Sequence, residues 1–127
     1  MKKVLLIGQE PDTVDFSDPA LPPGLDAAKI HAGIAAGMKQ ITEQGWSADL
    51  CLLRPDTTAK GMVEQKLAGA QYDCIVIGAG IRLPPKNLML FEMLVNTVHA
   101  SAPGAFIAFN TTPDDTGDAA ARWIDND

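Results

Sequence analysis

Short continuous apolar runs alternate along this chain with longer segments whose apolar residues recur at helical spacing. The first run, VLLI within Lys2–Gly8, is bounded by turn residues and suits a strand buried on both faces. A loop, EPDTVDFSDPALPPG, follows it. It is long for a strand-to-helix connection, and such loops tend to carry function or to move. From Asp26 to Gln44, the residues Ala27, Ile30, Ile34, Gly37, Met38 and Ile41 share one helical face. Asp26 is placed to cap that helix and Gly45 to end it. Gly33 and Gly37 weaken it intrinsically; close approach to the sheet is the expected compensation, and a solvent-facing glycine is the alternative.

Ala48–Leu53 reads as the second strand, and Thr57 or Thr58 opens a helix to about Ala70. Tyr72–Ile77 is the third strand, ending at Gly78. Pro84 and Pro85 are expected to prevent an immediate helix, so the third helix starts at Asn87 and runs to about Ala100. Phe106–Phe109 is the fourth strand, and Asp118–Ile124 a short last helix. Strands alternating with helices at these intervals predict an α/β three-layer sandwich. Its sheet is doubly wound, mainly parallel and four-stranded, in the order 2-1-3-4, within a single domain over residues 1–127.

That order separates the two cysteines. Cys51 and Cys74 fall on strands that flank the first one, roughly 10 Å apart at ordinary strand spacing. They are therefore expected to be free, buried thiols rather than a disulfide. No CxxC or Cys/His grouping suggests a metal centre. The apolar runs are far shorter than the roughly 18 residues of a membrane span. MKKVLLIGQEPD reads as a first strand rather than an export signal, which with reduced thiols predicts a cytoplasmic protein.

The net charge of −6 is unevenly spread. Glu10, Asp12, Asp15, Asp18 and Asp26 lie in a stretch without Lys or Arg, and the C-terminal segment holds Asp114, Asp115, Asp118, Asp125 and Asp127 against Arg122 alone. Such surfaces repel a phosphate backbone, so nucleic acid is not an expected partner. Asp12, Asp15 and Asp18 lack the glycine and distal glutamate of a calcium loop, and no metal site is predicted.

In open parallel sheets, ligands bind beyond the carboxyl ends of the strands where the strand order reverses. Here that brings together Gln9 and Glu10 after strand one, Gly78, Gly80 and Arg82 after strand three, and Asn110 and Thr111 after strand four. VIGAGI suggests a dinucleotide fingerprint, but Leu83 stands where its third glycine belongs and two prolines follow. No P-loop is present, and GQEPDTVD is too acidic for a flavodoxin-type phosphate loop. A receiver-like domain would carry an Asp where Gly78 ends strand three. No cofactor is implied by any motif.

The third helix carries an apolar stripe of Leu88, Phe91, Leu94, Val95 and Val98, widened by Met89, Leu90 and Met93. An apolar arc of that width suggests a homodimer interface. Glu92, Asn96 and His99 line up opposite it. They make Glu92 and His99 the candidates for acid–base chemistry in a small hydrolase or isomerase.

The segments YDCIVIGAGIRLPP, NLMLFEMLVNTVHASAPGAFIAFNTTPDDT and ARWI, within Tyr72–Ile124, resemble small conserved proteins of bacteria and fungi that carry no assigned activity. The resemblance implies a Rossmann-like or flavodoxin-like domain and transfers no catalytic residue. The reading that best joins these features is a small-molecule-binding domain. Gln9 and Glu10 would belong to the site, Asn110 and Thr111 would fix orientation by hydrogen bonds, Gly78 and Gly80 would offer backbone donors, and Arg82 would hold an anionic group. The alternatives are an enzyme built on Glu92 and His99, and an interaction module built on the third helix.

Overall fold

A computed structural model describes residues 1–125; Asp127 of the acidic tail lies outside them. Four parallel strands, β1 (Lys3–Gln9), β2 (Ser47–Leu53), β3 (Cys74–Ile77) and β4 (Phe106–Phe109), form one sheet in the order β2-β1-β3-β4. Five helices connect or follow them: α1 (Ala27–Glu43), α2 (Ala59–Ala68), α3 (Ala79–Arg82), α4 (Leu88–Ser101) and α5 (Thr116–Ala121).

The two-sided burial expected of the central strands follows from their alternation. In β1, Leu5 and Ile7 face a core completed by α2 and α4, while Val4 and Leu6 face one completed by α1 and α5. All four are at most 2% exposed. Burying each such side chain contributes about 1.5–3 kcal/mol. The sheet register sets Ile7 beside Cys51 on one side and Ile77 on the other, so β1 and β2 end together at Gln9 and Leu53 while β3 ends two residues earlier. Both cysteines are free and buried. Cys51 belongs to the core on the α2/α4 face and Cys74 to the core on the α1/α5 face. The sheet itself thus separates the two thiols.

Capping defines α1 closely. The Asp26 carboxylate accepts the Lys29 N–H at 2.8 Å. At the other end Gly45 takes φ 87°, a left-handed conformation that favours glycine. Gly45 N–H then reaches Thr42 O at 3.0 Å and Trp46 N–H reaches Ile41 O at 3.3 Å, a Schellman closure with Trp46 packed into the core. The close approach on this helix is not to the sheet. A Cβ on Gly37 would lie 2.2 Å from the carbonyl oxygen of Pro113, in the 3-10 turn that leads into α5.

Two elements depart from expectation. A single helical turn, α3, does fit between Gly78 and Pro84. Extending it would require an N–H at position 84 to meet Gly80 O, which proline lacks. The Asn87 side-chain amide donates to Gly80 O instead, at 3.3 Å. The last helix starts at Thr116 and ends at Ala121, earlier at both ends than its apolar pattern suggests. A capping box between Thr112 and Asp115 starts a 3-10 turn that runs directly into it.

Candidate functional site

The segments that follow β1 and β3 diverge to opposite sides of the sheet, and a crevice opens between them. The structure holds a cavity of about 240 Å³ there. Its floor is the rim of the sheet, with Leu6, Gly8, Gln9, Gly78, Ala79, Gly80 and Asn110. Ile30, Gly33 and Ile34 of α1 form one wall, and Thr111 to Asp114 another. Val14, Leu21, Pro22 and Leu25 of the long loop close over it, with Leu83 beside them. That loop is acidic by composition, yet Val14, Leu21 and Leu25 turn inward, with Leu21 buried, while Phe16 stays exposed.

Five of the seven residues expected at the ligand site line this cavity: Gln9, Gly78, Gly80, Asn110 and Thr111. Most of their polar groups, however, are already bonded to neighbouring residues of the chain. The Asn110 carboxamide accepts the Ala79 N–H at 2.8 Å and donates to Thr116 Oγ1 at 3.1 Å, and Thr116 Oγ1 donates to Pro113 O at 2.6 Å. Gln9 donates to Thr13 O at 3.0 Å and accepts from Asn87 at 3.2 Å. Gly78 N–H donates to Ile7 O at 2.8 Å as part of the rim. The Thr111 N–H and hydroxyl both go to the Asp115 carboxylate. These groups shape the cavity and leave its lining mostly apolar.

Arg82 and Glu10 do not line it. The Arg82 guanidinium donates to Asn110 O at 2.9 Å, tying α3 to the end of β4, and its buried Nε has no hydrogen-bond partner among the described residues. The basic side chain on the lining is Lys29, exposed at the mouth, with Nζ donating to Gly24 O at 2.7 Å. Lys29 gave little signal in the sequence, because it lies on the first turn of a helix far from any strand end. The wall residues Val14, Leu21 and Leu25 did have a signal, as apolar positions within an otherwise polar loop.

A larger cleft of about 480 Å³ opens along the β2 edge, lined by Lys3, Asp49, Cys51, Lys66 and Tyr72 among others. Its reactive groups are held in their neutral or paired forms. Tyr72 donates to the Asp49 carboxylate at 2.6 Å, and burial, with that acceptor and its charge, raises the phenol above its ordinary range. Burial likewise raises the Cys51 thiol. Neither is activated as a nucleophile.

Glu92, Asn96 and His99 share one face of α4 and are all exposed. Asn96 bonds the Glu92 carbonyl of its own helix at 2.9 Å, and neither Glu92 nor His99 lines the cavity at the sheet rim. The apolar arc of α4 is mostly used within the chain. Leu94 and Val98 are buried, and Leu90, Phe91, Met93 and Val95 pack on the same core, leaving Leu88 and Met89 strongly exposed. A further apolar surface pairs Phe106 with Trp123, stacked at 6.2 Å beside edge strand β4. Among the described residues, no helix is long and apolar enough to cross a membrane.

Glu10 lies instead near Asp12 and His31, within 4.8 Å between ligand atoms. Nothing in the sequence pairs His31 with the start of the acidic loop; the packing of the 3-10 turn Pro11–Thr13 against α1 does so. No protein-family model matches the chain and no curated protein matches it in sequence, so the functional reading rests on the residues themselves.

Proposed function

We propose that this protein is a small-molecule-binding domain that takes a compact, mainly apolar ligand with an anionic end at the carboxyl ends of β1, β3 and β4. The observation that carries the reading is the cavity at the crossover point, whose apolar walls surround a rim of mutually satisfied polar groups. Such a cavity gains affinity from burying apolar surface. Its preformed hydrogen bonds spare the ligand the cost of ordering the site. The anionic end falls to Lys29 at the mouth, while Arg82 serves as a brace between α3 and β4.

Phenylacetate and its neutral counterpart phenylacetamide separate the two components. In an NMR titration, both are expected to shift the amides of Val14, Leu21, Ile30 and Gly78 to Leu83. Phenylacetate should bind more tightly by a factor of about two to five, the value of about 0.5–1 kcal/mol for an exposed ion pair. Lys29→Met removes that preference. Gly80→Leu should abolish both titrations; a Cβ there meets nothing within 4 Å, and the amide spectrum of the variant verifies the fold. Shifts centred elsewhere, or undiminished in Gly80→Leu, refute the reading.

A further inference from the structure

We infer that Glu10, Asp12 and His31 form a binding site for a divalent transition-metal ion. Glu10 follows the end of β1, Asp12 sits in the 3-10 turn Pro11–Thr13, and His31 lies in the second turn of α1. One oxygen from each carboxylate and one imidazole nitrogen lie within 4.8 Å of one another. The turn that presents them is pinned: Glu10 N–H donates to Leu53 O at 2.7 Å and the Thr13 hydroxyl to Glu10 O at 2.7 Å.

The three groups differ from the rest of the acidic loop. Asp15 is paired with Lys86 and Ser17, Asp18 accepts the Ala20 N–H at 2.9 Å, and Asp26 accepts the Lys29 N–H at 2.8 Å. Among the described residues, the side chains of Glu10, Asp12 and His31 make no hydrogen bond or ion pair. Two carboxylates held together without a counter-charge repel each other, and a cation placed among them and the imidazole removes that repulsion. A nitrogen and two oxygens suit zinc, manganese or cobalt, whereas magnesium and calcium favour all-oxygen sets. Three protein ligands leave positions for water. A bound ion would fasten the acidic loop to α1. None of the three residues lines the cavity, so the inference stands or falls apart from the ligand-binding reading.

The chain has two histidines, His31 and His99, and the second is an internal control. Titration with Mn²⁺, followed through their imidazole C–H signals, should broaden His31 saturably and spare His99. Zn²⁺ affinity measured by calorimetry should fall by about tenfold or more in His31→Gln and in Asp12→Asn. It should not change in Asp18→Asn. All of these side chains reach solvent, so the variants keep the fold, which their amide spectra verify. Equal broadening of both histidines, Zn²⁺ affinity unaltered in His31→Gln, or no saturation below millimolar metal would each overturn the assignment.

Discussion

The rim of the sheet and the outer face of α4 both gather polar residues, yet these have opposite fates. At the rim, Gln9, Asn87, Ala79, Asn110 and Thr116 come from different segments and bind one another around a cavity. On α4, Glu92, Asn96 and His99 share a face and remain in water, with only a local bond from Asn96 to Glu92 O. Helical spacing sets direction but supplies no opposing wall. A site needs segments converging from different parts of the chain, which parallel crossovers provide at one end of the sheet.

Substitutions can test that contrast. The largest effect is expected where the rim's wall meets α1. Gly37→Ala drives a Cβ into Pro113 O and Thr116 Oγ1, and should destabilise the protein by about 2–3 kcal/mol in urea unfolding. Gly61→Ala, on α2 with open space around it, should stabilise by about 0.5–1 kcal/mol. If both changes acted alike, the tight contact at the rim would be refuted.

Next is Asn110→Ala, which leaves the Ala79 N–H and the Thr116 hydroxyl with lost partners in a buried place. It should cost about 1–3 kcal/mol. Glu92→Ala and His99→Ala should each stay within about 0.5 kcal/mol, as exposed side chains do. A loss at either as large as at Asn110 would erase the distinction between the two regions.

Thiol chemistry gives a further comparison across the sheet. Burial pushes the Cys74 thiol up to about 12. The folded state therefore keeps a proton that the unfolded chain releases near its ordinary 9.0. Its contribution to stability is intact below pH 9 and is lost as pH rises towards 12. Native alkylation of either cysteine at neutral pH should be slow, becoming fast only in denaturant.

The smallest effect concerns the loop. Lys86, with Ser17, holds the Asp15 carboxyl down to about 2 from its ordinary 3.8. Because the folded value is the lower one, the contribution is present above pH 4 and fades as pH falls towards 2. Lys86→Ala should move the Asp15 titration, followed by NMR, upward part of the way towards 3.8, with the Ser17 bonds holding the remainder.

Much of this architecture was legible in residue order. VLLI and CIVI are too short and too uniformly apolar for anything but strands covered on both faces, and the helical periodicities between them require crossovers. From these, the order 2-1-3-4 and the crevice beside Gly78 follow. The turn α3 is not legible in residue order, because proline acts on the residues after the turn, while the bond that replaces its missing donor comes from Asn87, which no local rule connects to Gly80. Arg82, a cation near a glycine turn, suggests an anion site. Its guanidinium meets a main-chain carbonyl from another strand instead.

Alternating patterns, caps and breakers act over a few neighbours, so the list of elements and the face each one buries are written in the order of residues. Which side chains meet across gaps of twenty to eighty positions depends on how the packed layers seat against each other. The joining of His31 to Glu10, the closing of Gly37 on Pro113 and the pairing of Asn110 with Ala79 therefore emerged only once the chain was folded.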